Sequence, residues 1–395
     1  MSEKGGNVAM RWMICLVCLM LSGPALAEVS LSVGYLEQQV ARPAVLSNLD
    51  PVPDDLGAAG AQLGLADNQT TGQFLGHSYT LDIVRVAPGE DVTAAAAQML
   101  AETRFLVIDA PAAVLLEIAD LPGAEGAIMF NVSASDTALR DAACRGNLFH
   151  TIPSVAMRAD ALMQFLQYKR WITPAMVSGP HDADLSFAEA LHRSARKFGL
   201  EIGASKTWNF EADMRRNAAQ EVPLFMQDLG DHDVLLVVDE VDDYARYIPY
   251  NTWLPRPVAG SVGIVPVAWS RVVEQWGAAQ LQSRFTEATG RDMRSTDYAA
   301  WAAVRALGEA VTRTGSDDPA TLRAYLVSDG FELAGFKGRA MSFRPWNGQL
   351  RQPIPLVTPR ALVAQAPLEG FLHQSNEMDT LGIDAPETAC TEFED

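Results

Sequence analysis

An alternation of short β-type runs with helical stretches, which begins at Val29 and restarts near residue 150, constrains this chain more than any other feature. Segments 29–36, 77–86, 104–109 and 126–132 have the apolar character of strands. Between them, a small-residue stretch from Leu56, then 91–102 and 112–119, have the composition of helices, with Asp91 in a first turn where it suits the helix dipole. Strands separated by helices must line up in parallel, with helices on both faces of the sheet. The second round opens with a strand at 148–152 and a helix that carries Val155, Ala159, Leu162 and Leu166 on one stripe. A strand at 172–177 follows, then a helix with a capping-box spacing from Ser186 to Glu189 that closes on Arg196, Lys197 and Gly199. Strands are expected at 200–207 and 234–239, and a long extended segment at 258–269. Helices at 274–289, at 298–311 and from Asp318-Pro319 come next, and short β-type pieces rich in Pro and Gly from Phe331 onwards. The expected fold class is α/β: two doubly wound lobes joined by a hinge, with a ligand cleft between them. The lobes are expected to comprise 28–149 plus 272–340, and 150–271 plus 341–395 with a C-terminal tail.

Upstream of the first strand, Arg11 precedes an apolar run at 13–21, then Ser22-Gly23-Pro24 and Ala25-Leu26-Ala27. A basic start, a short apolar core and an A-x-A end are the parts of a secretory signal peptide, with cleavage expected after Ala27. The run is too short to span a bilayer. Cleavage discards Cys15 and Cys18 and leaves Cys144 and Cys390 in an exported chain, where disulfides persist. Those two either bridge or remain buried thiols, and export favours the bridge. The formal net charge is −19, and loss of Glu3, Lys4 and Arg11 makes it one unit more negative. So acidic a chain repels phosphates, which excludes nucleic acid and anionic lipid as partners. The expectation is a monomeric periplasmic protein without a membrane anchor.

Catalytic signatures are missing: no G-x-S-x-G elbow, no H-E-x-x-H, no G-x-x-x-x-G-K loop and no G-x-G-x-x-G after the first strand. No cofactor is expected. Doubly wound sheets bind ligands at the carboxyl ends of their strands. That places Tyr35 and Glu37 after the first strand, Asp109 after the third, and Asn131, Ser133, Ser135 and Asp136 after the fourth. In the second round the equivalents are His181 and Asp182, then Asp239, Glu240 and Asp243. Each alone also reads as a turn or cap residue. As a set they would face one crevice if the lobes meet mouth to mouth. The run V-V-D-E-V-D-D-Y at 237–244 could hold a hard cation through oxygen ligands, with Asp239 and Glu240 as candidates. Its plainer reading is a solvated strand-to-helix turn. Tyr244, Tyr247, Tyr250 and Trp253, spaced by three, are expected to form the core stripe of an irregular helix.

The signal peptide, the first βα lobe, N-L-F-H-T-I-P-S at 147–154 as a hinge strand, M-R-A-D-A-L at 157–162, the second βα lobe and the returning helices together resemble type I periplasmic solute-binding proteins. The branched-chain amino acid group is the most similar. Four strings resemble a subgroup of ABC-transporter binding proteins associated with PQQ-dependent alcohol oxidation: C-R-G-N-L-F-H at 144–150, Y-N-T-W-L-P-R-P-V-A-G at 250–260, F-K-G-R-A-M-S-F-R-P-W-N-G-Q-L-R-Q-P at 336–353 and E-G-F-L-H-Q at 369–374. The resemblance implies a non-enzymatic binding component that closes on a small-molecule or metal-complex ligand, with an ABC permease and ATPase as partners. One segment departs from it. Amino-acid binders of the family place Ser and Thr with free N–H groups after the third strand to hold the ligand carboxylate. Here D-A-P-A-A at 109–113 offers Pro111, which has no N–H, and Asp109, which repels a carboxylate. Ser133 and Ser135 are the nearest remnants of the pattern, while Glu240 or Asp243 could still hold an ammonium. A cationic or metal-bearing cargo suits these residues better than a standard amino acid. Two other readings stand beside this one: a sensory or interaction module on the same fold, and a hydrolase using Asp109 with Asp239 as its acid pair.

Overall fold

The computed structural model describes residues 29–41, 51–208 and 214–393. The signal segment expected at 1–27 lies outside the described residues.

The first sheet contains β1 (Val29–Gln38), β2 (His77–Val86), β3 (Phe105–Asp109), β4 (Ile128–Asn131) and β5 (Leu148–His150). All are parallel, in the order β2-β1-β3-β4-β5. Because successive side chains on a strand point to opposite faces, each strand feeds two cores. Phe105 and Val107 join Leu31, Val33 and Tyr35 on one face, closed by α1 (Ala58–Gly72) and a later helix, α8 (Ser295–Thr314). Leu106 and Ile108 join Leu36 and Val86 on the other, under α2 (Val92–Glu102) and α3 (Ala112–Ala119). Asp91 is the N-cap of α2 and accepts from the Ala94 N–H at 3.0 Å.

The second sheet repeats the plan with β6 (Pro174–Ser178), β7 (Ser205–Thr207), β8 (Val234–Val238) and β9 (Val258–Gly260), parallel and ordered β7-β6-β8-β9. Met176, Leu236 and Val238 pack under α4 (Val155–Lys169) and α5 (Asp182–Lys197), and Ala175, Val177, Leu235 and Val237 face α6 (Met214–Met226). A parallel strand covered on both faces is apolar throughout, and all five residues of β8 are buried. The molecule is therefore two doubly wound α/β lobes, as the alternation implies.

Several elements differ from their sequence reading. The extended segment at 258–269 is two short strands, because Gly260 and Gly263 at φ 118° and 81° loop the chain out and bring Ile264 back beside Ala259 in a parallel bridge. The resulting β10 (Val265–Pro266) pairs antiparallel with β14 (Ile354–Thr358), itself paired with β15 (Ala361–Ala366). The capping box of α5 is one turn earlier than Ser186: the Asp184 carboxylate accepts from the His181 N–H at 3.2 Å, and Ser186 is an exposed interior residue. Helix α6 falls in a stretch to which the sequence reading assigns no element, and it carries Pro223 in its interior. Helix α7 (Ala278–Thr289) begins only after the left-handed Gly277. The aromatic stripe is not a core stripe: Tyr244 is buried, but Tyr250 and Trp253 are 88% and 55% exposed, and only a single 3-10 turn, Ala245–Tyr247, forms there.

Small residues bring α1 and α8 into close contact. At Gly60 a Cβ would lie 1.9 Å from the Asp297 carbonyl oxygen, so no larger residue fits this crossing. After α8 come α9 (Pro319–Leu326), β11 (Leu333–Ala334), β12 (Ala340–Phe343) and β13 (Leu350–Arg351). Met341, Phe343 and Leu350 belong to the first lobe's core, whereas Ile354 and Leu356 belong to the second's.

The chain thus passes between lobes after β5, after β10 and before β14. These passages are tied sideways: Gln352 Nε2 donates to the Thr151 carbonyl at 2.7 Å, and the Val267 N–H to the Pro355 carbonyl at 3.0 Å. Of the two cysteine readings, the bridge is what forms. Cys144 and Cys390 are joined across 246 positions. Among the described residues, no helix is long and apolar enough to cross a membrane.

Candidate functional site

The carboxyl edge of the first sheet opens into a cavity of about 620 Å³. The ends of β1, β3 and β4 supply Glu37, Asp109, Ser133, Ser135 and Asp136 to its wall, together with Ala110 and Pro111. Five of the expected ligand residues are therefore brought together. Parallel register sets Glu37 beside Asp109 and Arg85 beside Glu37, so the carboxylates lie on one face of neighbouring strands. Arg85 Nε reaches Glu37 at 3.0 Å.

Tyr35 is not among the lining residues. Strand β1 continues to Gln38, so Tyr35 lies inside it and is fully buried, with its hydroxyl 3.4 Å from Asp109 Oδ2 and 3.4 Å from the Leu56 carbonyl. Burial, reinforced by the charges of Asp109, Glu37 and Asp297, raises this phenol well above its ordinary pKa. It stays protonated and donates towards Asp109 from below.

The loops that form the wall are held by their own polar groups. Asn131 is buried, and its side-chain oxygen accepts from the N–H groups of Ser133 and Ala134 at 3.1 and 2.9 Å. Ser133 Oγ accepts from the Ala110 N–H at 3.1 Å. With that N–H occupied and Pro111 lacking one, the backbone donors of this turn are the N–H groups that open α3 at Ala112, which has no side-chain cap.

The second lobe's residues gather at the carboxyl ends of β6 and β8 and do not line this cavity. Asp239 accepts from three backbone N–H groups, those of Asp243, Tyr244 and Ala245, at 2.9, 2.7 and 2.7 Å. Glu240 is paired with Arg158 at 2.5 and 3.0 Å and accepts from Ser261 Oγ at 2.8 Å. Burial alone would raise the Glu240 carboxyl, but the Arg158 charge, with bonds from Arg158 and Ser261, holds it below the usual range. His181 Nε2 lies 3.7 Å from Asp243, and Asp182 begins α5 on the surface.

Two participants escape a reading of the sequence. Asp184, fully buried, accepts from the Glu240 N–H at 2.6 Å, and burial raises its carboxyl above the ordinary value. Arg158 is a lone cation in the first turns of α4, opposite an acidic run, and that opposition is the only hint of it in the sequence. Among the described residues, no group of three or more His, Cys, Asp or Glu side chains is arranged to hold a metal ion. Asp239 and Glu240 do not act as a pair, because one carboxylate caps a turn and the other faces Arg158. Nor does Asp239 meet Asp109 as an acid pair: Asp109 lies on the wall of the first-lobe cavity, which Asp239 does not line.

The two carboxyl edges are linked through the first turns of α4. Ser135 in the cavity wall accepts from the Val155 N–H at 2.8 Å, and Arg158, one turn on, reaches Glu240 at the end of β8. Two parallel sheets, each wound on both faces, whose ligand-facing edges adjoin across three chain passages, define one architecture. The fold is that of the type I periplasmic binding proteins.

No protein-family model matches the chain, and no curated protein matches it in sequence. Solved structures of the type I fold match it across most of its length. A branched chain amino acid ABC transporter periplasmic ligand-binding protein from Burkholderia xenovorans LB400 shares 16% identity at a TM-score of 0.71, covering 92% of this chain and 100% of that one. The leucine-, isoleucine-, valine-, threonine- and alanine-binding protein from Brucella ovis, in a closed conformation, shares 16% at a TM-score of 0.67, covering 92% and 98%. A branched-chain amino acid transporter substrate binding protein from Streptococcus pneumoniae, in complex with isoleucine, shares 13% at 0.61, covering 85% and 98%. At such identity the likeness establishes the type I fold and leaves the cargo open.

Proposed function

We propose that the protein is the solute-binding component of an ABC importer, capturing a small ligand by closing its two lobes without catalysing a reaction. The observation that carries this reading is the link through α4: a ligand seated against Asp109, Ser133 and Ser135 lies one helical turn from the second lobe's edge. The relevant residues are Glu37, Asp109, Ser133, Ser135 and Asp136 from the first lobe, with His181, Asp182 and Asp243 from the second. We divide the lobes at the three passages, with 28–149 and 272–340 in the first and 150–271 in the second, and place the return to the second lobe at Ile354. A ligand drives closure only if it contacts both lobes, since equal affinity for the open and closed forms shifts nothing.

The cargo we propose is cationic or metal-bearing. The carboxylates at the edge of β1 and β3 favour positive charge, and the Asp109 charge repels a ligand carboxylate. The four strings at 144–150, 250–260, 336–353 and 369–374 support a link to PQQ-dependent alcohol oxidation in the periplasm, reached through the expected signal peptide, with a permease and an ATPase as partners. Native mass spectrometry of protein purified from its own periplasm tests the reading. The expected result is a co-purifying mass that dissociates on unfolding and is reduced in Asp109→Asn. Turnover of a substrate by the pure chain would overturn it.

A further inference from the structure

Segment 376–393 is fastened to both lobes. Its first part lies on the second lobe. Asp160 of α4 accepts from the Gly382 N–H at 2.7 Å and from Lys197 Nζ of α5 at 2.7 Å. Lys197 Nζ also donates to the carbonyls of Thr380 and Gly382 at 3.0 and 3.2 Å, and Gln164 Nε2 to Thr380 Oγ1 at 2.9 Å. Its last part lies on the first lobe. The Ala389 N–H donates to Asp141 Oδ1 at 2.5 Å, Cys390 is bonded to Cys144, and the Phe393 ring packs edge-on against Phe149 of β5 at 5.6 Å between centroids. The first part is also held from the first lobe, where the Arg344 guanidinium of the β12–β13 loop donates to the carbonyls of Met378, Leu381 and Ile383 at 3.0, 2.5 and 3.2 Å, and to Asp379 at 2.9 Å.

We propose that this segment is a strap that limits how far the lobes separate, on the side of the molecule that carries β5. The proposal rests on the reading that the lobes move. Residues 378–383 are thus held by Arg344 of the first lobe as well as by Asp160 and Lys197 of the second, and residues 384–387 lead on from them to Cys390 through a turn in which the Asp384 carbonyl accepts from the Glu387 and Thr388 N–H groups at 3.0 and 3.1 Å. A turn keeps its ends within about 7 Å, whereas its three Cα steps fully extended reach about 11 Å. The lobes can therefore part only by freeing residues 378–383 from the buried Arg344 guanidinium, after which opening of the turn gives roughly 4 Å more. Further movement must break an anchor. At one end that means the buried Asp160–Lys197 group and at the other a covalent bond, so the strap ends in a stop. An open state held short of full separation remains close to the binding-competent form, which limits the reduction in apparent affinity.

The test is the distance between the lips of the cleft, read by single-molecule energy transfer. Donor and acceptor dyes are attached through azide-bearing residues introduced at Glu90 and Ala183, both exposed, so that the cysteines remain untouched. Three chains are compared: the intact one, Cys144→Ser/Cys390→Ser, and Lys197→Met, which keeps the bridge and guards against a misfolded cysteine variant. The expected result is a narrow distribution in the intact chain and at least a twofold larger long-distance population in a cut one. Lengthening in one variant alone also supports the strap and identifies the anchor that bears the load. Three coincident broad distributions would overturn the strap while leaving the moving lobes intact. Three coincident narrow ones would overturn both.

Discussion

Lys337 Nζ lies 2.6 Å from the Gln352 side-chain oxygen and 3.1 Å from the Pro353 carbonyl, at the point where the chain passes to the second lobe for the last time. The lysine is 1% exposed, and its ammonium sits 4.4 Å from the centre of the Tyr298 ring. These partners are neutral, and burial pushes the group well below its ordinary pKa. Gln352 in turn donates to Thr151 in the first passage, so the same lysine reaches two of the three passages through one amide.

A pH dependence follows. A base whose folded pKa is depressed binds fewer protons in the folded state than in the unfolded one at every pH between the two values. Stability therefore rises with pH across that window, up to the unfolded value of about 10.4. The raised tyrosines Tyr35, Tyr244 and Tyr298 oppose this only above about pH 10, where unfolded phenols ionise. The melting temperature should climb from pH 7 to 9.5 in the native chain and climb less in Lys337→Met. Equal slopes would show that the lysine does not titrate on unfolding.

The Arg158–Glu240 pair is expected to matter for stability as well as for the edge of the cleft. Glu240→Gln removes the charge opposite a mostly buried guanidinium and should cost about 1–3 kcal/mol at neutral pH in denaturant unfolding. Glu240 has a depressed folded pKa, so its contribution is present above the unfolded carboxylate value and is lost as pH falls through the folded one. The gap between native and variant chains should close in acid. A gap that persists at the lowest pH at which both chains remain folded would assign the loss to packing.

Much of this architecture is legible in the sequence, for reasons that can be named. Strand 77–86 and helix 112–119 coincide with their expected bounds because β-branched alternation and an uninterrupted apolar helix leave no competing pattern. That five candidate residues of the first lobe share one cavity is legible too, since a strand end can be recognised without knowing its neighbours. Tyr35 was misplaced because a strand of apolar residues conceals where it stops, and here it runs on through Glu37 and Gln38. The second-lobe half depends on contacts over long separations. That Glu240 meets Arg158, or that Asp239 turns back onto three N–H groups, follows from the folded path of 239–245 and not from the local pattern.

The crossing of α1 and α8 gives a stability test independent of any ligand. Gly60→Ala places a methyl group against the Asp297 carbonyl, a backbone atom that cannot rotate away. Overpacking of this kind costs about 1–3 kcal/mol, against which alanine recovers up to about 1 kcal/mol of helix propensity. A net loss is expected in the denaturation midpoint. A gain would mean that the two helices part easily.

Substitution of Tyr35 separates support from contact. Tyr35→Phe removes a long hydrogen bond beneath Asp109 and leaves the cavity wall unchanged, so it should cost no more than about 1 kcal/mol of stability. Ligand retention in native mass spectrometry should fall less than in Asp109→Asn. Equal losses would place the phenol in direct contact with the cargo.

The central claim is that a ligand held at the two carboxyl edges draws the lobes together. Small-angle X-ray scattering on protein carrying its co-purified ligand, and on the same protein stripped by unfolding and refolding, measures this directly. The account predicts a smaller radius of gyration for the loaded form, restored when the stripped protein is given back its extract. An unchanged radius with ligand demonstrably bound would contradict it.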